Sequence, residues 1–207
     1  PLSRKPTGLR TQNKRDVKGV IAQRASKRAG SKLESKDPIH PNDHVNRSQS
    51  STDAFPTAMH IAAASALQER VIPAMRKLQH ALDAKAKAVA GDVKIGRTHL
   101  QDATPLTVGQ EISGWPSLIA RYIQRLELCL PGLYELAVGG TAVGTGLNTH
   151  PEFAERAAQK IAELTGLPFR SHPNKFAALS AHDELASASA ALRPLAGPLR
   201  KIPHYIR

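Results

Sequence analysis

One cysteine, Cys129, stands in the whole chain of 207 residues. A lone sulfur forms no internal disulfide and builds no CxxC metal site, so a reducing, cytoplasmic setting is the expected compartment. Aromatic residues make up only 4% of the chain. A β-sandwich built on aromatic and β-branched strands is therefore not expected, whereas the abundant alanine suits packed helices. Long apolar runs are missing as well, since charge interrupts every stretch well short of the roughly 18 residues of a membrane span. No membrane role is expected, and no apolar core of a secretory signal follows the opening Pro-Leu-Ser-Arg-Lys. An initiator methionine is also absent, which places the expected start upstream. HExxH, GxSxG and GxxxxGK[ST] do not occur, so zinc hydrolysis, serine hydrolase chemistry and P-loop phosphate binding have nothing to stand on. Cofactor-free and metal-free chemistry is the expectation.

What is present in excess is positive charge, +12 in total. It invites a nucleic-acid reading until its location is considered. Residues 1–36 hold eleven Lys/Arg against Asp16 and Glu34, and the last 22 residues add four bases without an acid, leaving 37–192 about neutral. The basicity belongs to the ends. Residues 1–36 are accordingly read as an irregular basic segment, and 37–207 as a helical domain.

Periodicity supports helices throughout the second of these. Leu67, Val71, Met75, Leu78 and Leu82 recur on one face, predicting a long helix from Asp53–Thr57 to Gly91 with Asp53 as cap, Pro56 in the first turn and a kink at Pro73. Thr104-Pro105 predicts a second start, with Ile112, Trp115, Leu118, Ile119, Ile123, Leu126 and Leu130 on one face and Pro116 as a misfit. A third helix is predicted after His150-Pro151, burying Phe153, Ala157, Ile161 and Leu164 and stopping at Gly166. A fourth runs from about Asn174 to Leu192, before a tail broken by Pro194, Pro198 and Pro203. Strand-like alternation is not sustained anywhere. The fold expected is all-α, a partial helical bundle.

Three polar stretches interrupt this pattern. His40-Pro41-Asn42-Asp43-His44 through Ser50-Ser51-Thr52-Asp53 delivers imidazole, amide and hydroxyl groups just before a helix N-terminus. It reads either as an anion site or as a capped loop. Gly96-Arg97-Thr98-His99-Leu100-Gln101-Asp102 places a cation, a hydroxyl, a tunable base and a His-orienting acid close together. That is the content of an acid–base site and equally of a hydrogen-bonded structural histidine. Gly139-Gly140-Thr141-Ala142-Val143-Gly144-Thr145-Gly146 reads as a close-approach segment between helices or a ligand-facing turn.

Together the segments HPNDHVNRSQSSTDAFPTAMHIAAA from His40, KIGRTHLQDATPLTVGQEISGW from Lys94, ELAVGGTAVGTGLNTHPEFA from Glu135 and PNKFAALSAHD from Pro173 resemble class II fumarase, of the fumarase/aspartase superfamily. The resemblance covers about three quarters of the chain. It implies reversible hydration of fumarate to malate, a step of the tricarboxylic acid cycle, through a carbanion whose charge spreads into the neighbouring carboxylate, with no cofactor. It also implies a homotetramer with a helical-bundle core and active sites assembled from several subunits.

By the same resemblance His99 is the acid–base residue, and Thr98 lies beside it in the GRTH turn. Ser50, Ser51 and Thr52 match the SSN carboxylate clamp, and Thr11 matches the threonine of a TGSGTQ turn. His40, Pro41, Asn42 and Asp43 match the HPND motif, a second dicarboxylate site at the entrance. Departures accompany the matches: Leu9 and Arg10 replace serine and glycine of TGSGTQ, Thr52 replaces the asparagine of SSN, and Asn13-Lys14-Arg15-Asp16-Val17-Lys18-Gly19 replaces an asparagine-rich SNMNxNE stretch. The family's GSSxMPxKxNP loop, bearing the proton-abstracting serine, does not occur among these residues. The expectation is an N-terminal-half fragment, weak or inactive alone. The alternatives are a non-catalytic subunit that co-assembles with intact fumarase chains, and a basic nucleic-acid or acidic-surface binder, the last disfavoured because no aromatics interleave the basic arm.

Overall fold

The computed structural model describes residues 7–32, 37–48 and 50–206, with side chains from Asp16 onward. It divides into two compact units, one drawn from residues 1–58 and 136–181, the other from 59–135 and 182–207. The expected boundary between residues 36 and 37 falls at a stretch, 33–36, outside the described residues.

In the second unit, helix α3 (Ile72–Ala88) packs along helix α4 (Val108–Leu133). Their contact is apolar: Ile72, Met75 and Leu82 on α3, and Ile112, Ile119, Ile123, Leu126, Leu130 and Leu133 on α4, are all buried. Ile119, Leu126 and Leu133 are fully enclosed, each contributing about 1.5–3 kcal/mol. Helix α7 (Asp183–Leu192) and helix α8 (Ala196–Ile206) also pack against α4, and Ala188, Leu195 and Ile202 are buried there. Trp115 of α4 meets Tyr205 of α8 with ring centroids 6.2 Å apart.

The first unit contains helix α1 (Thr7–Arg28), the opening turns of helix α2 (Ser51–Ala66), helix α5 (Phe153–Thr165) and the short helix α6 (Lys175–Ser180). Its buried apolar residues include Ala22, Leu136, Ala137, Ala158 and Phe169. Helix α5 ends as predicted, on Gly166 at φ 68, the left-handed position glycine adopts without a Cβ clash. Its burial differs from the expectation: Ala158 takes the innermost position and Leu164 is 76% exposed.

The all-helical character holds, with several local corrections. Residues 7–28, expected irregular, form α1, because the Lys, Arg, Gln and Ala between Thr11 and Arg28 are good helix formers and no proline intervenes. The long helix predicted across 57–91 is two helices joined by a π-turn over Leu67–Val71. That wider turn lies immediately before Pro73, where a regular turn would drive the ring against a carbonyl. Asp53 is not the cap of α2. Ser50 fills that role, its hydroxyl accepting from the Thr52 N–H at 3.1 Å.

The strongest correction is the antiparallel pair β1 (Val93–Thr98) and β2 (Gln101–Thr107), in a stretch where no strand was expected. Thr104-Pro105 lies within β2, and α4 starts instead at Thr107. A capping box fixes that start: Thr107 Oγ1 accepts from the Gln110 N–H at 3.1 Å and Gln110 Oε1 accepts from the Thr107 N–H at 2.9 Å. Pro116 is buried within an unbroken α4. The predicted fourth helix splits at Ala181–His182 into α6 and α7. The tail expected to fray is helical, with Pro194 and Pro198 in first turns where a missing N–H costs nothing.

Candidate functional site

The predicted residues fall into the two units. His40–Asp43, Ser50, Ser51 and Thr52 belong to the first, and Arg97, Thr98, His99 and Asp102 to the second. Thr11 lies in α1, and its side chain is outside the described residues.

In the second unit, β1 and β2 are joined by His99 and Leu100 alone, at φ 51 and 61. A two-residue loop with both residues left-handed is the geometry that matches strand twist, and it normally selects asparagine and glycine. Here a histidine and a leucine occupy it, at a cost of order 1–2 kcal/mol per residue. Leu100 is 97% exposed, and Thr98 and His99 are exposed beside it.

Two features below the tip fix its aim. Arg97 and Asp102 face each other in the register, and Arg97 Nε donates to Asp102 Oδ1 at 3.1 Å. The acid therefore pairs with the arginine. Opposite Gly96 the register slips, so that Ala103 and Thr104 together face one residue, a bulge that re-aims the strand beyond it. A Cβ at Gly96 would lie 2.6 Å from the Thr104 carbonyl oxygen, so a side chain there forces the strands apart. Arg97, His99, Leu100, Gln101 and Asp102 line an open concavity of about 670 Å³ at the tip.

In the first unit, Pro41–Val45 makes one π-turn. The His40 side chain precedes it, its Nδ1 accepting from the N–H groups of Asn42 and Asp43 at 3.3 Å and lying 2.9 Å from Asp43 Oδ2. The His40 N–H donates to His44 Nδ1 at 2.8 Å. Asn148 staples this segment from across the chain: its Nδ2 donates to the Asn42 carbonyl at 3.0 Å, and its own carbonyl accepts from the Ser48 N–H at 3.1 Å.

The glycine segment is the close-approach element, and its occupant is internal. Asp53, 2% exposed, accepts through Oδ2 from the N–H of Gly139 at 2.9 Å and of Thr141 at 3.0 Å. Gly139, at φ 90, presses on Ala154, and Gly144, at φ 101, on the Phe176 ring, leaving no room for a Cβ at either. Thr141 is left-handed at φ 58, and its buried hydroxyl has no hydrogen-bond partner. Lys175 Nζ donates to the Leu136 carbonyl at 2.9 Å and to Ser171 Oγ at 2.6 Å. Burial pushes its pKa down, against the opposing pull of Glu155 and Asp53.

Sequence reasoning missed the roles of Asn148, Lys175 and Asp53. The one available signal was Asn148, an asparagine after a glycine run, the residue type that tolerates φ 65. Among the described residues no group of three or more His, Cys, Asp or Glu could hold a metal ion, and no helix is long and apolar enough to cross a membrane.

A helical fold carrying a strained His-Leu hairpin tip and a His-capped HPND turn is matched over residues 1–207 by the family model described as lyase, and the chain belongs to that family. Within it, the similarity is to class II fumarate hydratases. The chain is 56% identical to the enzyme so named from Neisseria meningitidis serogroup A over 207 residues, all of this chain and 45% of that protein. It is 57% identical to that of Methylorubrum extorquens, covering 44% of it, and 55% identical to the human protein named fumarate hydratase, mitochondrial, covering 41%. Among solved structures, recombinant class II fumarase from Schistosoma mansoni superposes with a TM-score of 0.76 at 39% identity, over 93% of this chain and 43% of that one. A fumarate lyase:delta crystallin from Brucella melitensis gives 0.75 at 35%, over 95% and 43%. The chain thus spans less than half the length of the relatives it matches.

Proposed function

We propose that this chain carries the acid–base histidine and the carboxylate clamp of a class II fumarate hydratase, and contributes them to the reversible addition of water to fumarate. The observation that supports this most is His99, held left-handed at an exposed hairpin tip within a chain 55–57% identical to fumarate hydratases along its whole length.

Hydration of fumarate places a hydroxyl on one carbon and a proton on its neighbour, so negative charge accumulates on one carboxylate at the transition state. Catalysis then requires donors aimed at both carboxylates and a base for the water. His99 is proposed to manage the water proton, with the Thr98 hydroxyl beside it. Ser50, Ser51, Thr52 and Thr11 are proposed to hold the carboxylates, Thr52 offering a hydroxyl where SSN offers an amide. His40, Pro41, Asn42 and Asp43 form the proposed second dicarboxylate site. The chemistry needs no metal or organic cofactor.

The base that removes the carbon-bound proton lies, by the resemblance, in a GSSxMPxKxNP loop that these residues do not include. The proposed working form is an assembly, a homotetramer or a mixed one with intact fumarase chains, as the resemblance implies. Exposed Leu128 and Leu164, at 80% and 76%, are in keeping with faces meant to be covered. The proposed compartment is the cytosol.

The test is complementation. A full-length class II fumarase whose GRTH histidine has been replaced by alanine is mixed with this chain, and loss of fumarate absorbance is followed. Turnover that returns on mixing, and is abolished by His99→Ala in this chain, is the expected result. An inactive mixture, with co-assembly confirmed by size, would overturn the assignment of His99.

A further inference from the structure

Lys18 stands on α1, 24 residues from the HPND turn in sequence, yet its Nζ donates to Asn42 Oδ1 at 2.5 Å. The resemblance that gives the HPND turn its ligand does not provide this cation, because Lys18 sits in the stretch where the chain departs from the asparagine-rich family pattern.

The hydrogen-bond inventory of the turn determines what it can bind. Ammonium only donates, so the amide of Asn42 must point its oxygen at Lys18 and its Nδ2 donors away. The other Asn42 acceptor, its backbone carbonyl, is taken by Asn148 Nδ2 at 3.0 Å. Its backbone N–H is taken by His40 Nδ1. An Nδ1 that accepts from the Asn42 N–H leaves the His40 hydrogen on Nε2. What remains uncommitted at Asn42, Lys18 and His40 is donors: the Asn42 amide NH2, two ammonium N–H groups and the His40 Nε2–H. Asp43, 64% exposed at the side chain, is the carboxylate opposing them.

A ligand for such a set must bring acceptors and negative charge. We infer that Lys18 is a ligand-binding residue of the HPND turn, orienting the Asn42 amide and supplying the positive charge that captures a small dicarboxylate. The inference rests on the proposed second dicarboxylate site and adds the residue that determines its charge preference. The resulting affinity is electrostatic at an exposed position, so it falls with ionic strength as counterions screen it over about 10 Å at 0.1 M.

The test is titration of the 15N-labelled chain with L-malate, following the amides of residues 42–46 at low and moderate salt, with Lys18→Gln and Lys18→Arg in parallel and inorganic phosphate as a second probe. Saturable shifts are expected in the unsubstituted chain. Lys18→Gln is expected to weaken malate binding about fivefold to tenfold and to flatten its salt dependence, as for loss of one charge-assisted contact, while Lys18→Arg retains most of both. Equal affinity in Lys18→Gln, with the remaining amide spectrum unchanged, would overturn the role of Lys18 and leave the second site standing. No saturable shift in the unsubstituted chain would overturn both together. Phosphate binding as tight as malate would overturn the dicarboxylate preference.

Discussion

Asp53 offers the sharpest test of how the first unit is held. Its carboxylate is 2% exposed and accepts both its described hydrogen bonds through one oxygen, from the N–H groups of Gly139 and Thr141. Removing it with Asp53→Ala deletes two hydrogen bonds to a carboxylate and strands two buried N–H groups in a segment whose left-handed residues leave them no helical partner. Hydrogen bonds to a charged group contribute about 1.5–3 kcal/mol each, so the local loss is of order 3 kcal/mol after partial relaxation and water entry. That corresponds to about a hundredfold change in an opening equilibrium. Asp53→Asn retains an acceptor oxygen of similar reach and loses only the charge, about 1 kcal/mol. Native-state amide hydrogen exchange reads the effect directly, since the two amides report their own opening. Gly139 and Thr141 are expected to be protected, to exchange about a hundredfold faster in Asp53→Ala, and to lie in between in Asp53→Asn. Unchanged exchange at both amides in Asp53→Ala would refute the claim that Asp53 pins the glycine segment.

Two further predictions concern the second unit. His60 lies half-buried, its Nδ1 3.1 Å from the Leu133 carbonyl, and burial holds its pKa below 6.5 despite the opposing pull of the Leu133 and Glu135 backbone and of Glu184. The unfolded chain then takes up a proton at higher pH than the folded one. The contribution of neutral His60 to stability is full above pH 6.5 and is lost as pH falls through and below that value. Urea midpoints at pH 7.5 and 5.5, compared with those of His60→Gln, should show a smaller drop in the variant; an equal drop would refute the assignment. At the hairpin tip, Leu100→Gly removes a left-handed side chain that is 97% exposed and makes no burial contribution. It should stabilise the hairpin by up to about 1 kcal/mol, read as slower exchange of the β1–β2 ladder amides, and a faster exchange would show that Leu100 is not strained.

The sequence by itself determined the helical class, because one-sided apolar periodicity needs only a partner face to become a packed helix, and α3, α4 and α5 formed where that periodicity ran. It also singled out the polar segments proposed as the site, His40–Asp43, Ser50–Thr52 and Thr98–His99, although part of their polarity serves the fold itself, as the Ser50 cap of α2 shows. Tertiary structure decided what those groups do with one another. The β1–β2 hairpin was illegible because its burial pattern is nearly all exposed, so no apolar alternation announces it, and its geometry is set by cross-strand pairing and the Gly96 bulge. Asp53 reads as a helix cap in sequence, and only the chain returning 86 residues later turns it inward as the acceptor for Gly139. Lys18 reads as one more charge in a basic arm until α1 brings it to Asn42. Local propensity is a property of neighbours in sequence, whereas a hydrogen bond between distant residues exists only once the chain between them has folded.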